Sequence, residues 1–399
     1  MFSRHTTWST EPSPLDLAVA ALRSAGEPLL DLTISNPTRV GLTHPPALWR
    51  ELCDERSATY DPASLGVRSA REAVADYYAA RGRRPDPDHI GLCASSSEAY
   101  SFLLALLCDP GDAVLVPQPG YPLLRVLAEL AHVELVPYPL LHDGTWSIDQ
   151  QGLTQILAAT PRARALVVVA PNNPTGNYLH PHELPLLDAL LTPRSIALIT
   201  DEVFHDYPLT DAARPSPALT PPAGLAFTLS GLSKVAALPQ LKLAWWLATG
   251  PEALVREATR RLELIADTYL SAATPVQLAL PRLLAAAPAI QAQISARTRH
   301  NLATLRAACH NTAITLLEQD AGWTALLRLP AVHDLDDDAW ARQILHTARV
   351  LTQPGQLYDL HGPPHLALSL LTPEPTFAAA CDRLRAAVAE VLASGPCSP

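Results

Sequence analysis

Short apolar runs alternate with helix-like periodic segments through the middle of the chain. The runs predicted as strands lie at 90–94, 113–116, 133–137, 165–170, 196–200, 225–229 and 241–248. Helical periodicity follows most of them, and the segment at 96–107 comes directly after the first run. Parallel strands are joined by such crossovers and are buried on both faces. The pattern therefore predicts an α/β fold built on a mostly parallel seven-stranded sheet covered by helices.

The pattern changes after about residue 285. Longer helical segments at 289–309, 339–348 and 376–392 surround shorter strand-like runs near 312–317, 324–329 and 366–370. This arrangement indicates a smaller α+β domain, which the N-terminal segment is expected to join. The predicted organisation is a large domain at 46–285 and a small domain formed by 1–45 and 286–399.

Charge and composition indicate which classes of binding partner are not expected. The 399 residues carry a formal net charge of −10. Nucleic-acid binding depends on clustered cations, so nucleic acid is not an expected partner. No unbroken apolar stretch predicts a membrane span, and residues 1–13 are largely polar rather than signal-like. The six cysteines, Cys397 among them, show no close pairing and no metal-like spacing. We therefore expect no metal, reduced thiols and a cytoplasmic location.

Lysine usage points to the chemistry. Of the 29 lysines and arginines only two are lysines, Lys234 and Lys242, and they lie eight residues apart. Arginine keeps its proton, whereas lysine can lose one and form an imine. A lysine that persists where arginine is so strongly preferred is a candidate nucleophile, although chance survival of two ordinary residues explains the same count.

Four segments with polar side chains lie at predicted strand ends. They are the serine run at 93–98, the turn at 170–176, the acidic pair at 200–203 and the lysine segment at 230–242. Each segment taken singly has an ordinary structural explanation. The serines are equally well explained as helix caps, the segment at 170–176 as a turn, and the acidic pair as a helix cap. Ligands in such sheets bind at the carboxyl ends of the strands. Together the segments predict a phosphate cradle, an oxygen donor, a carboxylate for a ring nitrogen and an imine-forming amine, which is the set that pyridoxal phosphate requires.

On these residues the chain resembles the fold type I, class I/II aminotransferase family over nearly its whole length. The most specific matches are the string at 173–176 (Asn-Pro-Thr-Gly), Asp201 and the pair Ser233-Lys234. The segment at 60–66, followed by Ala-Arg at 70–71, is similar to another family motif, and the loop at 117–122 is similar to the aromatic-bearing loop.

The resemblance implies a catalytic role for Lys234, which would form the internal aldimine with pyridoxal 5′-phosphate and then carry a proton. It also implies a set of cofactor-binding residues. Asp201 would pair with the pyridinium nitrogen, Asn173 would bind the phenolic oxygen and Tyr121 would stack on the ring. Ser96, Ser97 and Lys242 would hold the phosphate, and Tyr60 would reach the phosphate of a neighbouring subunit. A homodimer is therefore implied.

The sequence departs from the family pattern at four positions. Phe204 stands where the family commonly has tyrosine, which removes a donor to the phenolic oxygen and is expected to raise the basicity of the imine. Gly231 replaces a phosphate-binding serine, and Gln240 replaces a glycine. Ala367 stands where the family's arginine clamps the substrate α-carboxylate, which is a strong bidentate contact.

The loss of the clamp leaves the substrate class open. Arg39, after Ser35 and Asn36 in the N-terminal segment, is one candidate replacement, and His365 is another; Arg39 also reads as an ordinary surface residue. The leading interpretation is an aminotransferase that moves an amino group between an amino acid, or a related amine, and a 2-oxo acid. Other pyridoxal phosphate reactions, such as β-elimination, aldol cleavage or carbon–carbon bond formation, stay open. A non-catalytic ligand-sensing module is the alternative outside enzymes, but it predicts an attached DNA-binding domain and the chain shows none.

Overall fold

A computed structural model describes residues 1–3, 6–60, 62–332 and 334–393. Within them the strands are β1 (Leu30–Asp31), β2 (Ile90–Cys93), β3 (Ala113–Gln118), β4 (Glu134–Asp143), β5 (Thr145–Ile148), β6 (Ala163–Val169), β7 (Ala197–Asp201), β8 (Ala226–Gly231), β9 (Ala244–Thr249), β10 (Thr315–Leu316), β11 (Thr324–Arg328), β12 (Val350–Leu351), β13 (Gln353–Pro354) and β14 (His365–Ser369). The α-helices are α1 (Pro14–Ser24), α2 (Arg68–Ala79), α3 (Ser96–Leu107), α4 (Leu123–Leu130), α5 (Gln150–Ala159), α6 (Glu183–Leu191), α7 (Leu232–Val235), α8 (Glu252–Asp267), α9 (Thr274–Cys309), α10 (Asp337–Ala348) and α11 (Glu374–Ala393).

The large sheet has eight strands in the order β2-β9-β8-β7-β6-β3-β4-β5. Strands β3, β4, β6, β7 and β8 are parallel to their neighbours in that set. Strand β9 runs antiparallel to both β8 and β2, so β2 points the same way as β8. The α/β class with a mostly parallel sheet is thus confirmed, but the expected count of seven strands was one short. The eighth strand, β5, folds back on β4 as a hairpin through Gly144, whose φ of 75° suits a tight turn.

A second, four-stranded antiparallel sheet has the order β10-β11-β14-β13. Its core includes Leu327, Trp340 and Phe377, and the same core cluster takes in Leu15 and Leu32 from the N-terminal segment. Strand β1 also pairs with β12. The N-terminal segment thus packs with the C-terminal part because its apolar side chains are buried there.

One helix joins the two parts of the molecule. Helix α9 runs unbroken for 36 residues, so the expected boundary at 285/286 falls inside it. Pro281 and Pro288 lie within this helix, at positions where a proline normally ends or kinks a helix. Among the described residues, no helix is both long and apolar enough to cross a bilayer.

Candidate active site

Several strands of the large sheet end at one edge and carry the polar segments predicted from the sequence. Strand β7 ends at Asp201, β6 ends four residues before Asn173, and β8 ends three residues before Lys234. Strand β2, parallel to β8, ends at Cys93, the first residue of the serine run at 93–98. This edge and the second sheet enclose a cavity of about 320 Å³. Its volume is within the usual size range of small-molecule sites.

Lys234 lies on the short helix α7, directly after β8, and its amine faces this cavity. Its Nζ is 5.5 Å from the ring centroid of Phe204 and 5.3 Å from that of Trp323. Burial lowers the pKa of Lys234, and the carboxylate of Asp201 opposes that shift. A lowered pKa raises the fraction of neutral amine, which is the nucleophilic form.

Asp201 is buried on the same wall, and each of its carboxylate oxygens accepts one hydrogen bond. The hydroxyl of Tyr100 donates to Oδ2 at 3.2 Å, and the amide N–H of Val203 donates to Oδ1 at 3.1 Å. Burial nevertheless raises the pKa of Asp201 to about 6, with these two bonds and the charge of Lys234 opposing the shift. A buried carboxylate with so little compensation favours a cationic partner in the cavity.

The serine run forms the N-terminus of α3. Ser95 is the N-cap, and its side chain accepts from the N–H of Glu98 at 3.2 Å. Ser96 and Ser97 are the first residues of the helix, and all three serines line the cavity. Capping uses one backbone donor, so other N–H groups of the first turn stay available to an anion. The structure thus assigns the cap to Ser95 and places the two serines predicted for phosphate one and two residues later.

Lys242 lines the cavity close to the serine run. Its charge acts on the buried thiol of Cys93, the residue that ends β2, although burial is the largest cause of the raised pKa of Cys93. A cation, a helix N-terminus and hydroxyl groups at one end of the cavity are suited to a phosphate.

Asn173 lies in the loop after β6 and lines the cavity. The Thr324 hydroxyl, on β11 of the second sheet, donates to Asn173 Oδ1 at 3.2 Å. The carbonyl of this amide is therefore occupied, and its NH₂ group is the end left for a ligand oxygen. Nothing in the sequence near Asn173 indicates Thr324, which lies 151 residues away.

The other predicted site residues fall into two groups. Tyr121 lines the cavity with its ring 51% exposed, and its centroid is 6.4 Å from that of Tyr358. Ser35 also lines the cavity, whereas Asn36 and Arg39 are exposed and do not. Tyr60 is 75% exposed and lines a separate depression; Asp61, next to it in the predicted motif, lies outside the described residues.

The structure shows the surroundings of three departures from the family pattern and gives a cause for one of them, Gly231. A Cβ at Gly231 would come within 2.8 Å of the Cβ of Ala244 on β9, so a serine there would require the strands to shift. Ala367 is fully buried in β14 between Gln353 on β13 and Leu326 on β11. The Phe204 ring lines the cavity and packs edge-on against Trp323 at a centroid distance of 5.2 Å.

Several lining residues were not anticipated from the sequence, namely Tyr100, Trp323, Thr324, Gln353 and Tyr358. Tyr100 had a usable signal, since it lies one helical turn after Ser96 and so on the same face of α3. The other four come from the second sheet and its connections, and no motif marks them. Among the described residues, no group of three or more His, Cys, Asp or Glu side chains could hold a metal ion.

These residues fit pyridoxal phosphate. The buried amine of Lys234 and the buried carboxylate of Asp201 line the same cavity. The end of the cavity suited to a phosphate, formed by the serine run and Lys242, belongs to the same lining. Asn173 offers an amide donor, and the half-exposed ring of Tyr121 is available for stacking on a flat heterocycle.

Comparisons with known proteins point the same way. The alanine aminotransferase of Mycobacterium tuberculosis is 29% identical over 395 residues, which cover 93% of this chain and 88% of that protein. The tyrosine aminotransferase of Bos taurus is 27% identical over 305 residues, 72% of this chain and 68% of that protein. The structure of an alanine aminotransferase from Pyrococcus furiosus superposes with a TM-score of 0.89 at 22% identity, covering 98% of this chain and 100% of that one, and it supports the fold.

The sequence model of the family "Aminotransferase class I and II" matches residues 28–384, which is most of the chain. This match includes the strand ends that carry Lys234, Asp201 and Asn173. The protein is therefore an aminotransferase and belongs to the class I and II aminotransferase family.

Proposed function

We propose that this aminotransferase uses pyridoxal 5′-phosphate, held through Lys234, to move an amino group between a small amine or amino acid and a 2-oxo acid. The observation that carries the proposal is that a buried Lys234 amine of lowered pKa and a buried Asp201 carboxylate line the same cavity. When bound, pyridoxal phosphate supplies an aldehyde for imine formation and a ring that accepts the electron pair released at the substrate Cα.

The residues that line the cavity have separate roles in this proposal. The Nζ of Lys234 would hold the cofactor as a neutral amine and would then take and return a proton, and its lowered pKa favours both roles. The Asp201 carboxylate compensates a positive charge on the ring nitrogen, and Tyr100 and Val203 fix its two oxygens. Asn173 donates from its free NH₂ group to a ligand oxygen.

Binding of the cofactor phosphate falls to Ser96, Ser97 and Lys242 at the N-terminus of α3. The ring of Tyr121 would cover one face of the cofactor ring. The two relatives are named as an alanine and a tyrosine aminotransferase. These names support amino acids and 2-oxo acids as the general substrate class of this protein. Cys53, Cys93, Cys108, Cys309 and Cys381 are free thiols, which supports a reducing, cytoplasmic location.

The proposal is tested by adding an amino donor to the yellow purified protein without a 2-oxo acid. Transamination in this half-reaction converts the bound cofactor to its amine form, so the visible absorbance is expected to fall and to return when a 2-oxo acid is added. Release of ammonia or of a carbon fragment without that reversible loss of colour would contradict transamination.

We further propose a homodimer in which Tyr60 completes the phosphate site of the partner subunit. Tyr60 is highly exposed and does not line the cavity of its own chain, although its motif resembles a phosphate-binding segment. A two-fold dimer would make the contribution mutual.

Tyr60→Phe is expected to weaken cofactor binding about 10- to 100-fold, the effect of one hydrogen bond to a charged group. Equilibrium titration of the apoprotein with pyridoxal phosphate measures this, and Tyr269→Phe, which removes a hydroxyl from another exposed tyrosine, is the matched control.

Mixed dimers decide whether Tyr60 acts across subunits. Tyr60→Phe subunits combined with Lys234→Ala subunits are expected to form one fully native site, so tight cofactor binding returns in the mixture. If the mixture binds no better than its parents, or if sedimentation shows a fully active monomer, the dimer proposal is wrong.

A further inference from the structure

The charges on the cavity wall bear on the class of substrate. Among the lining residues that the structure describes, the acidic and basic side chains are Asp201, Lys234 and Lys242. All three lie on the large-sheet side, where the cofactor roles proposed above employ them. The wall contributed by the second sheet and the N-terminal segment is neutral and includes Ser35, Gln353 and other uncharged side chains.

Gln353 presents a free, oriented amide donor on this neutral wall; the Nε1–H of Trp323 also lacks a partner there, but that atom is fully buried. It lies on β13 directly opposite Ala367, in the antiparallel register of β13 with β14. The hydroxyl of Tyr358 donates to its Oε1. Burial raises the pKa of Tyr358 above its usual value, so the phenol keeps the proton that it donates. Gln353 Oε1 is therefore occupied, and the amide NH₂ has no hydrogen-bond partner among the described residues.

A neutral NH₂ group suits an uncharged acceptor better than a carboxylate. A carboxylate that leaves water for a buried wall requires a cation or several donors to compensate its lost hydration. A carboxamide or similar neutral carbonyl loses much less on transfer, and a single amide donor satisfies it. The NH₂ group of Asn173, which Thr324 orients in the same way, is assigned above to the cofactor, so the amide donor left for the substrate is that of Gln353.

We propose, on the basis of the function proposed above, that Gln353 is the specificity-determining residue of this aminotransferase. It selects amines in which the carbon bearing the amino group carries an uncharged hydrogen-bonding group, such as a carboxamide, over α-amino acids with a free carboxylate. Ala367 leaves the space beside Gln353 uncharged, and Tyr358 fixes the direction of the amide.

Binding and turnover are measured separately with the cofactor-loaded protein. For binding, 2-methylalanine and its amide are compared, because neither has a Cα hydrogen and neither can be transaminated; the change in absorbance of the lysine-bound cofactor gives each Kd. For turnover, alanine and alaninamide are compared by kcat/KM. The amide is expected to bind at least tenfold tighter and to react with the higher kcat/KM.

Three variants test whether Gln353 causes the preference for the amide over the carboxylate. Gln353→Leu is expected to weaken amide binding at least tenfold while leaving 2-methylalanine within about twofold, so that the preference is lost. Gln353→Arg introduces a cation at the same position and is expected to reverse the preference. Gln356→Leu, which alters an exposed glutamine outside the cavity wall, is the matched control and should retain the wild-type ratio.

The outcomes separate this inference from the function on which it rests. A wild-type protein that binds 2-methylalanine more tightly than its amide, or a Gln353→Leu protein with the wild-type ratio, overturns the inference while transamination of alanine stands. A tenfold loss for alanine in Arg39→Ala would assign carboxylate binding to Arg39 and overturn it as well. Amide-selective binding without any transamination would instead contradict the proposed function and leave the role of Gln353 intact.

Discussion

Lys234→Ala will lower turnover at least about 10³-fold, because in the proposed function one amine serves both as the imine-forming nucleophile and as the group that carries the proton. The amine is buried, with a lowered pKa, and faces the cavity beside Asp201. Borohydride reduction of the wild-type protein, followed by peptide mapping, is expected to place the reduced cofactor on Lys234. The half-reaction absorbance assay then measures the loss of turnover in the variant.

Lys234→Arg is the matched variant, since it keeps a cation at the site but cannot supply a neutral amine. It is expected to be as inactive as Lys234→Ala. Lys242→Ala should behave differently, with weaker cofactor binding and labelling by borohydride still at Lys234. Labelling at Lys242 in the wild-type protein, or substantial turnover in Lys234→Arg, would show that the nucleophile has been assigned to the wrong residue.

Asp201→Asn will have opposite effects on the cofactor-bound and cofactor-free protein. In the loaded protein it leaves a protonated ring nitrogen without its counter-ion, and removing one member of a buried charge pair typically costs on the order of 3–5 kcal/mol. Cofactor affinity and kcat are therefore expected to fall at least about 100-fold. Titration with pyridoxal phosphate and the half-reaction assay measure the two losses.

In the apoprotein the same substitution should stabilise the fold. Burial raises the pKa of Asp201 from 3.8 to about 6, so the native state holds this proton more tightly than the unfolded state does. The resulting penalty is absent below pH 3.8, grows as pH rises toward 6 and is complete above it. Asn removes a penalty of roughly 3 kcal/mol, so the variant is expected to have the higher free energy of unfolding at pH 8.

Denaturant unfolding of the wild-type and Asp201→Asn apoproteins at pH 8 and at about pH 4 measures the difference in their free energies of unfolding. The advantage of the Asn variant should be present at pH 8 and small at the acidic pH. Tyr100→Phe is the matched control, because it removes a hydrogen bond that opposes the shift and should raise the pKa of Asp201 further. An Asn variant less stable than the wild-type apoprotein at pH 8 would mean that Asp201 is compensated without the cofactor.

The large sheet and the polar segments at its edge could be predicted from the sequence because their signals are local. Apolar runs marked the buried strands within three residues at each end, except that β4 continues six residues beyond its predicted end at 137. Helix α3 begins and ends where its periodicity predicted. The hairpin strand β5 was missed, because it is short and exposes part of its surface. Helix α9 was placed too short, because tertiary packing tolerates Pro281 and Pro288 inside it.

By itself, the sequence determined the α/β class, the family and the residues at the strand ends, Lys234, Asp201 and Asn173. The carboxyl ends of parallel strands lie at one edge of the sheet, so a residue that follows such a strand is placed at that edge by local sequence alone. Only the tertiary structure decided which residues from distant segments meet them. Thr324 orients Asn173 from 151 residues away because the second sheet packs over the first, and no local pattern encodes that contact. Tyr358 orients Gln353 from only five residues away, but that pair reaches the cavity only because the second sheet forms one of its walls.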